Sequence, residues 1–127
     1  MQPNQIKQMS NHREQSAKYN NQRWRNVSKS IRRNTPYCVY TYHKYGFTIA
    51  PDVVDHFIEA QDAPELFYHE YNLFPCCHDM HNQKTIKVDQ ARANGTRELI
   101  EWYRDNAPNN ETLELIEQWV RDNNLKG

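Results

Sequence analysis

An aspartate and a histidine stand side by side in Val54-Asp55-His56-Phe57, and another histidine follows in Cys77-His78-Asp79-Met80-His81-Asn82-Gln83-Lys84-Thr85, with Asn72-Leu73 between the two stretches. Together these residue types could hydrolyse a phosphodiester. That reaction needs a group that takes a proton from water, and a divalent cation that neutralises charge on the phosphoryl group and on the departing oxygen. His56 suits the first task, because an imidazole is about half neutral near neutral pH. Asp55 offers a hard oxygen of the kind that suits Mg²⁺, and His81 can supply a second protein ligand. Taken singly, each residue has an ordinary structural explanation: a surface histidine, a chance Asp-His pair, a turn asparagine. The information lies in their ordered combination.

The elements that must position these residues follow from pattern and punctuation. Residues 52–58 (DVVDHFI) read as a strand, and 72–76 (NLFPC) as a short extended piece. Residues 64–71 read as one or two helical turns opening at Pro64. A helix is expected from about Cys77 to Ala93, stopped by Asn94-Gly95. Residues 37–49 (YCVYTYHKYGFTI) alternate aromatic and β-branched types with Gly46 near a turn, and are expected to form strand, turn, strand. The last thirty or so residues read as a helical hairpin, with Thr96 and Asn110 as caps. Leu99, Trp102 and Tyr103 face inward on its first helix, and Leu113, Ile116, Trp119 and Val120 on its second. This order carries a constraint. Neighbouring residues on a strand point to opposite sides, so Asp55 and His56 serve one site only at a bulge, at a strand end, or across a strand edge.

The chain has 127 residues and a net charge of zero, but the charge is unevenly spread. Residues 1–34 carry eight Lys or Arg against one acid, and residues 35–127 carry eight against fifteen. This split suggests a basic arm for a polyanion attached to a neutral-to-acidic body. Residues 1–22 are polar and aperiodic and are expected to be flexible. Residues 23–34 could form a short basic helix with Trp24, Val27 and Ile31 at helical spacing. Its Arg23, Arg25, Lys29, Arg32 and Arg33 are candidates for neutralising phosphates. No run is long and apolar enough to suggest a membrane span, and no secretion signal is evident. Three cysteines without such a signal are expected to be reduced thiols in a cytoplasm.

At this point the sequence resembles the HNH, or ββα-metal, nuclease family of phages and other mobile elements. The resemblance rests on Val54-Asp55-His56-Phe57, on Asn72-Leu73, and on the run from Cys77 through His81-Asn82 to Lys84-Thr85. Arg33-Asn34-Thr35-Pro36-Tyr37-Cys38 stands where the family begins its first metal knuckle. It implies an α+β fold: a ββα-metal core over 35–94, a basic arm over 1–34, and a C-terminal helical hairpin over 95–127 packed on the core. It implies a metal-dependent DNA endonuclease that nicks or cuts duplex DNA and leaves 5′-phosphate ends. His56 would be the general base, Asp55 and His81 would hold one Mg²⁺ or Mn²⁺, and Asn72 would brace the loop that orients His56. Lys84 would contact phosphate, and Asn82 would be a secondary ligand or a DNA contact. The partner would be double-stranded DNA, with a homodimer or protein partner using the hairpin. The location would be cytoplasmic, in the host cell if the chain is phage-encoded.

The family's structural zinc is commonly held by two Cys-x-x-Cys pairs. Here they read Cys38-Val39-Tyr40-Thr41 and Cys77-His78-Asp79-Met80, so each pair lacks a thiolate. Thr is a poor zinc ligand, and Met suits softer ions. The expectation is a zinc-free member in which Cys38, Cys77, Met80 and nearby tyrosines fill the old site by packing. A zinc site, if one forms, would draw on Cys38 and Cys77 with His43, Cys76 or His78. Two other readings compete: a non-catalytic DNA-binding or regulatory module that keeps the HNH fold, and a small zinc-binding adaptor that contacts protein.

Overall fold

A computed structural model describes residues 19–126. The arm residues 1–18, for which flexibility was expected, lie outside the described residues. Helix α1 spans Gln22–Asn34. The Asn21 side chain caps it by accepting from the Trp24 amide at 2.8 Å. The spacing of Trp24, Val27 and Ile31 places them on one face, which packs with Val54, Ala60, Phe67 and Leu73 in a small core cluster.

Residues 37–49 correct the expectation of two strands. They contain helix α2, Val39–Tyr45, followed by an irregular return. Cys38 is the N-cap, its sulfur accepting from the Thr41 amide, and Gly46 ends the helix at φ 79°, donating to the Tyr42 carbonyl at 2.8 Å. A residue there needs the left-handed conformation that glycine adopts without strain. Aromatic and β-branched residues favour strands mainly where a pleated surface receives them. Here the sheet offers no such place, and a capped helix buries Cys38, Tyr40 and Thr41 instead.

The sheet of the described residues has two antiparallel strands, β1 (Val53–His56) and β2 (Leu73–Cys76). Val53 faces Cys76, Val54 faces Pro75, Asp55 faces Phe74 and His56 faces Leu73. A strand with one open edge tolerates Pro75, which has no N–H to give. Between the strands lie two 3₁₀ turns, Pro64–Leu66 and Glu70–Asn72. Helix α3 (His78–Ala93) follows β2 directly and ends before Asn94-Gly95. Side chains alternate across the sheet as the pleat requires: Val54 and Leu73 join the α1 cluster, while Val53, Phe74 and Cys76 join the larger core.

Helices α4 (Thr96–Asn106) and α5 (Asn110–Asp122) form the hairpin. Both caps fall one residue earlier than expected. Gly95 precedes α4, and Asn109 caps α5 by accepting from the Thr112 amide at 2.8 Å. Leu99, Ile100, Tyr103, Ile116 and Trp119 pack into one core with Phe57, Phe74 and Val88. Leu113, expected inside, is exposed, and Trp102 and Val120 are half-buried. No described helix is long and apolar enough to cross a membrane.

Candidate metal centre and general base

The open edge of β1, the start of α3 and one side of α1 enclose a cleft of about 510 Å³. Tyr19, Trp24, Arg32, Asp55, His56 and His81 border it. Asp55 and His56 do point to opposite faces of β1. They share the cleft because it runs along the strand edge, where consecutive residues from both faces reach it. A smaller recess of about 160 Å³ is again bordered by Asp55, His56 and His81.

Asp55 is buried, and its two oxygens have different partners. Oδ2 accepts from the Tyr40 hydroxyl at 2.6 Å and from the Lys84 ammonium at 2.7 Å. Oδ1 lies 3.3 Å from His81 Nε2. Burial alone would raise the carboxyl pKa, but the Lys84 charge and the hydrogen bonds from His81, Lys84 and Tyr40 outweigh it and bring the value down to about 2. The His81 pKa is raised, chiefly by its hydrogen bond to Asp55 and against partial burial. Asn82, the next residue on α3, is exposed beside it.

His56 is 4% exposed and sits in an aromatic box. The Trp24 ring stacks on it with centroids 5.0 Å apart and planes 18° apart, and Phe67 lies at 4.4 Å. Its Nε2 is 2.9 Å from the Phe67 carbonyl oxygen. A carbonyl can only accept, so Nε2 carries a proton, and in its neutral form the ring then presents a lone pair at Nδ1. The Tyr19 hydroxyl is 3.1 Å from that Nδ1 and is the donor to the neutral ring.

Asn72 is fully buried below the box. Its Oδ1 accepts from the Ile58 amide at 2.7 Å, and its Nδ2 donates to the Ile58 carbonyl at 3.1 Å and the Leu66 carbonyl at 3.4 Å. It ties the segment leaving β1 to the turn that carries Phe67. Lys84 lies elsewhere than a phosphate contact should. Its side chain is 6% exposed, and its ammonium is committed to Asp55 and, at 2.6 Å, to the His56 carbonyl. Among the arm cations, Arg32 borders the cleft. Arg23 lies over the Tyr68 ring at 3.7 Å, and Arg25 donates to the Asn20 carbonyl at 2.8 Å. Lys29 and Arg33 are exposed.

Two residues in contact with the candidate site carry no signal in the sequence. Tyr40 sits in a run read as strand, and only the α2 helix aims its hydroxyl at Asp55. Tyr19 lies in a polar, aperiodic stretch. Helical spacing does point to Trp24, but as a packing residue.

The positions of the two Cys-x-x-Cys pairs also converge. The Thr41 hydroxyl is 3.1 Å from Cys38 Sγ and 3.8 Å from Cys77 Sγ, and Met80 packs against the same cluster. Burial opposes ionisation of Cys38, but hydrogen bonds from Thr41 and Cys77 bring its thiol pKa below the usual value. Cys76 is buried, and its pKa is pushed up. His43 and His78 are exposed. Among the described residues, no three His, Cys, Asp or Glu side chains gather as a candidate metal cluster.

No family model matches the sequence, and neither does any curated protein. A solved structure does share the fold: the crystal structure of the HNH endonuclease of the deep-sea thermophilic bacteriophage GVE2 with manganese ion. The TM-score is 0.64 at 17% identity, over 70% of this chain and 97% of that one. At that identity the likeness is one of fold. The chain is a mixed α+β protein with an HNH-type ββα core.

Proposed function

We propose that this chain is a metal-dependent endonuclease acting on double-stranded DNA, with His56 as general base and Asp55 and His81 as ligands of one Mg²⁺ or Mn²⁺. The supporting observation is the pair Asp55 Oδ1 and His81 Nε2, 3.3 Å apart on the cleft that His56 also borders. Two donors sharing an octahedral ion in adjacent positions, each about 2.1 Å from it, lie about 3 Å apart. One carboxylate oxygen and one imidazole nitrogen suit Mg²⁺ or Mn²⁺. Such ions commonly take only one or two protein ligands and complete their shell with water and substrate phosphate, which accords with the absence of a three-ligand cluster among the described residues.

When bound, the cation would supply charge stabilisation to the scissile phosphate and to the leaving 3′ oxygen. The protein's own share is the proton transfer. Donation from Nε2 to the Phe67 carbonyl leaves the Nδ1 lone pair to take a proton from the attacking water. Asn72 holds the two segments that fix this geometry. Lys84 and Tyr40 keep Asp55 ionised and aim its other oxygen toward the cleft. Arg32 at the cleft and the exposed Arg23, Arg25, Lys29 and Arg33 are the arm cations that would meet phosphates, and exposed Asn82 remains a candidate DNA contact.

The test is plasmid nicking with Mg²⁺, Mn²⁺ or EDTA, comparing the wild type with His56→Ala. Cation-dependent nicking is expected, with at least a roughly 100-fold loss in the variant and retained DNA binding. DNA shifted but left uncut under every cation would mean a binding module instead.

A further inference from the structure

The general base is covered by the protein's own arm. Of the three described rings around His56, Phe67 comes from the segment between the strands, and Trp24 and Tyr19 come from the N-terminal segment. Trp24 is a buried part of the core, whereas Tyr19 lies just before the α1 cap and is 39% exposed. A base must have its water about 2.6–3.2 Å away. The Tyr19 hydroxyl stands 3.1 Å from the one nitrogen of His56 that keeps a lone pair. One lone pair accepts one strong hydrogen bond, so water and the tyrosine compete for it.

We propose that Tyr19 is a built-in plug on His56, and that DNA engaging the arm withdraws it. This rests on the reading of His56 as the base. Burial, with Asp55 and Glu59 nearby, pushes the Tyr19 phenol up to about 12, so it keeps its proton and remains a donor across the neutral range. Among the described residues, the plug is held by its hydrogen bond to His56 and by ring edges. Its ring makes edge contacts with Trp24 at 5.2 Å and Phe67 at 5.1 Å. The adjoining turn is pinned by exposed hydrogen bonds between Asn21 and Tyr68 and by Arg23 over the Tyr68 ring. Exposed contacts of this kind are individually weak. The force available to break them is at hand, because Arg23 and Arg25 at the start of α1 are exposed cations and the same helix brings Arg32 to the cleft. A phosphate drawing Arg23 off Tyr68 would loosen the turn that sets Tyr19. The plug would thus keep the base closed until DNA is bound, with the opening cost taken from binding.

The test uses the full chain labelled with 3-fluorotyrosine, the Tyr19 resonance being assigned by its absence from Tyr19→Phe protein. Duplex DNA is added in EDTA, so that no bond is cut. The Tyr19 resonance should move to a solvent-exposed position as DNA saturates the protein. Tyr19→Ala should bind the duplex about threefold more tightly in EDTA and, with Mn²⁺, raise kcat/KM by about the same factor at unchanged kcat. A tyrosine with a merely structural role would lower both constants on removal. The plug is overturned if the Tyr19 resonance stays in place at saturation, or if Tyr19→Ala binds no better. DNA that binds but is left uncut by both proteins under every cation sinks the nuclease reading alone, and the resonance and the affinity still decide the plug.

Discussion

The carboxylate of Asp55 gives one oxygen to the fold and turns the other toward His81. Tyr40 and Lys84 hold the first, and this division lets a buried anion also serve as a ligand. Removing one partner of a buried ion pair leaves the other uncompensated, at a cost of about 3–5 kcal/mol. Lys84→Met should therefore destabilise the protein by about 3 kcal/mol. Adding Asp55→Asn should recover part of that loss, which a double-mutant cycle in urea would measure. His81 yields a pH prediction. Its pKa is raised by Asp55, so below that raised value the ring carries a proton between the two donors that would hold a cation. Mn²⁺ affinity should fall as pH drops through the raised value, and calorimetry at about pH 8 and about pH 6 should show weaker binding at the lower pH. The stabilisation from the His81–Asp55 pair runs the other way: it is complete below the ordinary histidine pKa and lost as pH rises through the raised one.

Among the elements, α1 has two roles that cannot be removed separately by truncation. Its Trp24 face closes the smaller core cluster and walls His56, while its opposite face carries the arm cations. Deleting residues 1–34 would expose Val54, Phe67 and Leu73 as well as remove charge, so neutralising single side chains is the cleaner experiment. Lys29→Gln with Arg33→Gln should weaken DNA binding at low salt. For each phosphate left without its cation, the slope of log K against log salt should become shallower by about 0.9. An unchanged slope in a fluorescence titration would take these cations out of the interface. Legibility also divides by element. The strands, α3 and the hairpin show in the sequence because local punctuation and packing agree there: Pro64 opens a turn, Asn94-Gly95 stops a helix, and apolar residues keep one period. Helix α2 does not show, because β-favouring residue types outnumber its signals. Its cap is a cysteine, and its stop, Gly46, also suits a hairpin turn.

Over the whole molecule, chain segments far apart in sequence meet at the start of α2 and the start of α3, through Cys38, Thr41, Cys77 and Met80. The hairpin completes the same core, with Tyr103 donating to Asp62 at 2.6 Å, and Arg92 of α3 bridges Glu59 and the same Asp62. The geometry where Cys38, Thr41, Cys77 and Met80 meet makes a prediction at this scale. T41C combined with M80C would place four thiolates where the two pairs meet. That variant should retain about one zinc equivalent after dialysis, as a four-thiolate site does, and unfold at a higher temperature than the parent. Metal analysis with thermal melts checks both expectations, and a variant that binds no zinc would show that the four positions do not form a tetrahedral set.

The sequence by itself determined which residues could do chemistry and in what order they come, because ligand and base types are chemical facts and a strand–helix pattern is local. It also determined the charge split, which is a matter of counting. Only the tertiary structure decided what each of these groups meets. Lys84 is a residue of α3 like its neighbours until β1 crosses beneath it and takes its charge into the core. Tyr40 becomes a partner of Asp55 only because α2 is a helix, and Tyr19 reaches His56 only because α1 packs along β1. Contacts between distant segments depend on how whole elements pack, and no local stretch of sequence encodes that.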